Sequence, residues 1–273
     1  MDKSENLIGN YKSSDIPLSR IPTIDVSEMG VRRHNIKALL EIDVTRARQL
    51  IGSYKRKTGN ELSFTAWIIY CISQTTRIHG SVNSYINLRR RKCVTFEDID
   101  VTVLVEKEVD GQKVPLPYVV RKTNEKTLQE ISAEICQART RNFNVGGDSQ
   151  KKSSGWMSFF MRLPQPFRNL FWKRAGRDPF FPKKTMGTMA VTAVGMFGKV
   201  SGWVIPLTIF TSCFALGSIV KKPGVIDDRV EIREYLFMTV LFDHDVIDGA
   251  PAARFISDLV SSIESAYGLD DYA

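Results

Sequence analysis

A chain of 273 residues, 43% apolar and 25% charged, has the composition of an ordinary globular protein and is long enough for one large core or two small ones. Its four cysteines, Cys71, Cys93, Cys136 and Cys213, are scattered without a Cys-x-x-Cys pair, which excludes a cysteine metal cluster or a disulfide scaffold and fits free thiols in a reducing cytoplasm. The net charge of +8 is concentrated: residues 150–185 carry nine basic side chains against Asp178 alone, so the remainder is neutral.

Residues 1–20 are polar and predict a flexible segment, with no basic region and apolar run of a secretory signal. Ile36, Ala38, Leu40 and Ile42 alternate as in a strand. Asp43 is placed to cap an amphipathic helix carrying Val44, Ala47, Leu50, Ile51 and Tyr54. Ser63 precedes a helix from Phe64 to Thr75 that is apolar on nearly all sides and therefore buried. Val82 to Val94 reads as a hairpin, and Val101, Val103 and Val105 alternate in the next strand. Asp110-Gly111 marks a second hairpin turn, leading to a proline-interrupted strand, 114–120, suited to a sheet edge. Thr127-Leu128-Gln129-Glu130 is a capping box opening a helix with Leu128, Ile131, Ile135 and Ala138 on one face. The uncharged stretch from Trp203 to Val220 just reaches membrane-span length, but its Pro206, threonines, serines and Gly217 favour buried strands covered on both faces. Strands alternate with helices, predicting a mixed sheet with helices packed on it.

The sharpest local signal is Phe242-Asp243-His244-Asp245-Val246-Ile247-Asp248-Gly249. A buried strand from Tyr235 to Phe242 delivers His244 into a loop. Phe255, Ile256, Leu259, Val260, Ile263 and Tyr267 then recur at helical spacing from about Pro251. This is the layout of a general base at a strand exit with a carboxylate, Asp248, to order the loop. Histidine suits the role because its ordinary pKa lies nearest neutrality. The other histidines, His34 and His79, read as structural or solvated. No Ser-His-Asp elbow, glycine-rich phosphate loop or metal-ligand cluster accompanies them.

Asp-His-x-x-x-Asp-Gly-Ala-x-x-Ala-x-Phe resembles the catalytic domain of the dihydrolipoamide acyltransferases of 2-oxoacid dehydrogenase complexes, which share the chloramphenicol acetyltransferase fold. Three further segments resemble that family in order: Leu40 to Thr45, Gly187 to Gly198, and Leu216 to Pro223. The resemblance implies an α/β, chloramphenicol acetyltransferase-like two-layer fold over residues 21–267, a 268–273 tail, and a homotrimer with active sites between subunits. It implies acyl transfer between coenzyme A and a lipoyl-type thiol or other small acceptor. His244 would deprotonate the attacking thiol, Thr192 of a neighbouring subunit would donate a hydrogen bond to the tetrahedral intermediate, and Asp248 would organise the loop by pairing with an arginine, Arg32 or Arg33. No metal is called for.

The departures shape the remaining expectations. Asp245 stands where the family usually has arginine, and could raise the pKa of His244 or alter thiol access. Ala193 replaces an asparagine. No lipoyl domain or Ala-Pro linker is present, so a lipoyl group would be supplied in trans, and a free trimer is expected over a large hollow core. The alternatives are a non-catalytic trimeric assembly protein and a subunit of a 2-oxoacid dehydrogenase complex that uses a lipoyl domain in trans. A basic, aromatic insert at about 144–186 has no family counterpart. It reads as a lid or oligomer contact, as a dock for an acidic lipoyl or carrier protein, or, less favoured, as a membrane-surface contact. No nucleic-acid motif accompanies its charge.

Overall fold

The computed structural model describes residues 9–17, 20–87, 90–109, 112–140, 160, 162–175, 178–195 and 201–272. In chain order the elements are α1 (Ile21–Val31), β1 (Asn35–Asp43), α2 (Thr45–Thr58), α3 (Phe64–Ile78), β2 (Ser84–Asn87), β3 (Lys92–Thr95), β4 (Val101–Val109), β5 (Gln112–Val120) and α4 (Leu128–Thr140). There follow α5 (Gln165–Ala175), α6 (Phe180–Met186), β6 (Met189–Ala193), β7 (Ser212–Ile226), β8 (Arg229–Asp243) and α7 (Gly249–Glu264). Six strands form one sheet in the order β1-β8-β7-β6-β4-β5, and β2 pairs with β3 in a separate ribbon. β6 runs parallel to both β4 and β7, while the other pairs are antiparallel. The expected mixed α/β sheet is therefore present.

Alternation divides the sheet into two faces. Val101, Val103, Val191, Phe214, Met238, Val240 and Phe242 are buried against the helical layer. That layer centres on α3, which packs against both α4 and α7. α3 is buried nearly all round, as its composition dictates, and Ser63 caps it by accepting from Ala66 N. The capping box at α4 forms in both directions: Thr127 N donates to Glu130 Oε2 (2.8 Å), and Glu130 N donates to Thr127 Oγ1 (3.3 Å). Asp43 stands one position before the cap of α2, which is Val44, and its Oδ1 accepts from Thr45 N at 2.9 Å. β5, with its prolines, is an edge strand.

The expectation of buried strands across 203–220 needs correction. β7 begins only at Ser212, and residues 203–207 form an irregular segment on which Trp203, Val204, Ile205 and Leu207 are exposed. Trp203 lies edge-on over Phe237 and donates its Nε1–H to Leu40 O (2.9 Å), so the segment is tied across the sheet face opposite the helices. Among the described residues no helix is long and apolar enough to cross a membrane. The chain's last residues also pack: Leu269 is buried, and the ring of Tyr272 meets Tyr54 edge-on.

At the entry of β4, Asp100 joins the sheet to α6. Its buried carboxylate accepts from Lys183 Nζ (2.7 Å), Arg121 Nη1 (2.9 Å) and Lys122 N (2.9 Å). Burial raises its pKa, but these hydrogen bonds outweigh burial and hold the carboxyl below its ordinary value. A depressed folded-state pKa contributes stability above the unfolded value of about 3.9, which is lost as pH falls through the folded value. Urea unfolding curves of wild type and Asp100→Asn are therefore expected to differ most near neutrality and to converge in acid, as the folded-state carboxyl protonates. A gap that stays constant with pH would rule out this linkage.

Candidate active site

β8 and α7 hold the loop that carries His244. Phe242 at the end of β8, Phe255 of α7 and Phe214 of β7 meet with ring centroids 5.7–6.4 Å apart, and all three are buried. The five residues 244–248 therefore leave and re-enter one fixed aromatic cluster. Val246 N and Ile247 N both donate to Asp243 O (3.0 Å each), which tightens the loop into a turn. Ile247 is buried beneath it, while the His244 side chain is 48% exposed. His244 Nδ1 lies 3.9 Å from Asp248 Oδ1, too far for a hydrogen bond but close enough for electrostatic attraction. Asp248 occupies the N-cap position of α7, yet its side chain makes no cap hydrogen bond.

The arginine expected beside Asp248 is elsewhere. Arg33 pairs with Asp243, whose carboxylate is fully buried, and Asp248 remains exposed. The reason is geometric: β1 lies antiparallel to β8 with Asn35 opposite Asp243, so the residues just before β1 meet the last residue of β8. The same register brings His34 to the loop. His34 O accepts from His244 N (2.9 Å), and His34 Nδ1 meets Asp245 Oδ1 at 3.0 Å. Asp245, expected to act on His244, is thus paired with His34. Reading the sequence missed this Arg33–His34–Asp243–Asp245 set, whose only signal was the pairing of β1 with β8. His79 is structural: its Nε2 meets Asp258 Oδ2 of α7 at 2.7 Å, and its ring packs on Phe255.

Thr192 lies in register with Ala215 of β7, which lies opposite Thr239 of β8. The three share the face away from the helices. Five residues along β8 and two strands across separate Thr192 from His244, so the two lie roughly 20 Å apart within one chain. The glycines of the two motifs flanking Thr192 are explained by backbone contact. A Cβ on Gly195 would lie 2.0 Å from Gly217 O, and one on Gly217 would lie 2.8 Å from Gly202 O. The turn after β6 thus seats directly on β7 at its register shift between Leu216 and Ile219.

The described part of the insert forms α5 and α6. α5 is bolted to α1 by the buried pair of Arg168 with Asp25, in which Arg168 Nε lies 2.9 Å from Oδ2 and Nη2 lies 3.0 Å from Oδ1. Trp172 Nε1 also donates to Asp25 (3.3 Å), and Glu28 accepts from Gln165 and Asn169. α1 runs directly into Arg33 and His34, so the insert is linked to the His244 loop. Residues 144–159 lie outside the described residues. Among the described residues no group of three His, Cys, Asp or Glu side chains is placed to hold a metal.

This architecture is that of an acyltransferase catalytic core. It superposes on Azotobacter vinelandii dihydrolipoamide acetyltransferase with a TM-score of 0.71 at 14% identity, covering 98% of each chain. It also superposes on a probable dihydrolipoamide acetyltransferase from Listeria monocytogenes with a TM-score of 0.68 at 20% identity, covering 95% of this chain and 96% of that one. The sequence model of the 2-oxoacid dehydrogenases acyltransferase (catalytic domain) matches residues 14–144 and 182–269, and the chain belongs to that family. Among curated relatives, the acetyltransferase component of the Corynebacterium glutamicum pyruvate dehydrogenase complex is 22% identical over 91% of this chain and 32% of its own length. The lipoamide acyltransferase component of the Bacillus subtilis branched-chain alpha-keto acid dehydrogenase complex is 23% identical over 92% of this chain and 52% of its own length. The chain thus spans about a third to a half of these relatives, and residues 145–181 fall between the two matched segments of the family model.

Proposed function

We propose that this protein transfers an acyl group between coenzyme A and a lipoyl-type thiol, with His244 as general base. The observation that carries the reading is the placement of His244: half exposed on a rigid strand-to-helix turn, with Nδ1 facing Asp248. A carboxylate on that side favours the Nδ1–H tautomer and leaves Nε2 free to accept a proton. A thiol of ordinary pKa near 8.5 gives its proton to Nε2, and the thiolate attacks the thioester carbonyl. The tetrahedral oxyanion accepts a hydrogen bond from the Thr192 hydroxyl. Collapse expels the second thiolate, which recovers the proton from Nε2–H.

Thr192 and His244 of one chain are too far apart to share a substrate, so the site is assembled between subunits of a homotrimer. In the Azotobacter enzyme, investigated for the roles of a serine, a histidine and an asparagine in catalysis, the serine precedes the histidine by fifty-two positions and the asparagine follows it by four. Thr192 and Asp248 stand at the same intervals from His244. The lipoyl group is presented by an acidic lipoyl or carrier domain that docks near the basic insert, in the cytoplasm.

The test is S-acyl-dihydrolipoamide formation from a panel of acyl-coenzyme A donors, followed by chromatography. Thr192→Ala is expected to slow transfer by about 10²–10³-fold, the usual cost of one oxyanion donor. Mixed trimers assembled from Thr192→Ala and His244→Ala chains are expected to regain activity, because some interfaces then pair an intact His244 with an intact Thr192. Mixed trimers as inactive as their parents would refute the shared site. Silence on every donor with coenzyme A binding intact would point to a different acceptor, and silence without coenzyme A binding would favour the non-catalytic assembly protein.

A further inference from the structure

A cavity of about 340 Å³ opens beside the His244 loop, walled by α1, α5, β2 and the loop itself. Asp243, Asp245 and Val246 form its loop side, so it lies against the residues flanking His244. Met29, Tyr85, Ile86 and Trp172 make the body of the lining apolar. The third wall, with Asn169, Trp172 and Lys173, belongs to the stretch 145–181 that falls between the matched segments of the family model.

The charged groups of the lining are balanced in number but not in engagement. Asp243 is held by Arg33, Asp245 by His34, and Glu28 by Gln165 and Asn169. Tyr85 donates its hydroxyl to Thr188 O (3.2 Å), and the indole of Trp172 donates to Asp25. Among the described residues, the side chains of Arg32 and Lys173 have no partner. All the carboxylates of the cavity are therefore engaged, while one guanidinium and one ammonium offer free donors. A ligand with an apolar body and a terminal anionic group satisfies this arrangement. A neutral ligand leaves both cations without a partner.

We infer that Arg32 and Lys173 bind the anionic end of the thioester substrate, with its apolar part along Met29, Ile86 and Trp172. The inference rests on the acyl-transfer reading for the identity of the ligand as a thioester. The anion is either the carboxylate of a dicarboxylic acyl group or a phosphate of coenzyme A.

Calorimetry with non-transferable thioether analogues separates these sources and needs no turnover. One arm compares a pantetheine analogue carrying a four-carbon half-acid with its neutral butyryl counterpart. The other arm compares coenzyme A with pantetheine. In one of the two arms the wild-type trimer is expected to bind the anionic member about tenfold or more tightly, the scale of a charge-assisted hydrogen bond. Arg32→Gln and Lys173→Gln are each expected to reduce that preference severalfold, and Lys173→Arg to retain it. Both side chains are exposed at the cavity rim, so the substitutions leave the core untouched. No anion preference in either arm, or a preference indifferent to both glutamine variants, overturns the inference. If His244-dependent transfer persists in that case, the proposed function stands without it. An anion preference of the expected kind in a chain with no His244-dependent transfer supports the anion site and counts against transfer to a lipoyl-type thiol.

Discussion

Replacing His244 with alanine is expected to lower acyl transfer by about 10²–10⁴-fold, the usual contribution of a positioned general base. The fold and the trimer are expected to survive the change. The imidazole is half exposed, and among the described residues its one ion-pair contact is Asp248 at 3.9 Å. What holds the loop is backbone: His244 N donates to His34 O, and Val246 N and Ile247 N donate to Asp243 O. None of these bonds uses the imidazole, so its loss removes a proton acceptor and little else. The check is S-acyl-dihydrolipoamide formation by wild type and His244→Ala, with light scattering and circular dichroism to confirm assembly and fold. A folded, trimeric variant with full activity would exclude His244 as the base.

Replacing Arg33 with alanine is expected to be the most destabilising of the single changes considered, at about 3–5 kcal/mol. Asp243 is buried at the end of β8, in the middle of the join between β1 and the His244 loop. Its carboxylate accepts from Arg33 and from Asp245 N (3.2 Å). Without Arg33 a buried charge is left with one neutral donor, and removal of one partner costs far more than removal of both. Arg33→Ala combined with Asp243→Asn is therefore expected to recover part of the loss. Chemical denaturation of the two single variants and the double variant measures the coupling. Strict additivity would show that the pair does not support the loop. Because Asp243 adjoins His244, Arg33→Ala should also reduce turnover in protein that remains folded.

Much of the fold is written in local patterns. The Thr127–Glu130 capping box, the Ser63 cap and the all-round apolar α3 depend only on residues a few positions apart. The same holds for the apolar stripe of α7, where Ala252, Phe255, Leu259 and Ile263 are buried. Tyr267 falls beyond the end of that helix, yet its ring still stacks on Tyr70. The stretch 203–220 misled because an uncharged run looks alike whether it is buried by its own chain or left exposed. Hydropathy does not encode which atoms lie above the sheet. The family's glycines were readable as a motif, but the contact of Gly195 with Gly217 O, which makes a side chain impossible there, joins two segments distant in sequence.

The sequence by itself determined the family, the mixed α/β architecture and the three candidate residues His244, Thr192 and Asp248. Each of these rests on short-range order: alternation, capping and motif spacing. Only the tertiary structure decided which charges meet. The antiparallel register of β1 on β8 assigns Arg33 to Asp243 rather than Asp248, and His34 to Asp245. The pairing of β6 with β7 and of β7 with β8 separates Thr192 from His244 by the width of two strands and five residues along them. The burial of Arg168 against Asp25 places the insert beside the His244 loop, where Lys173 and Arg32 face one cavity. Ion pairing and cavity lining depend on distances between residues far apart in the chain, and those distances exist only once the sheet has set its register.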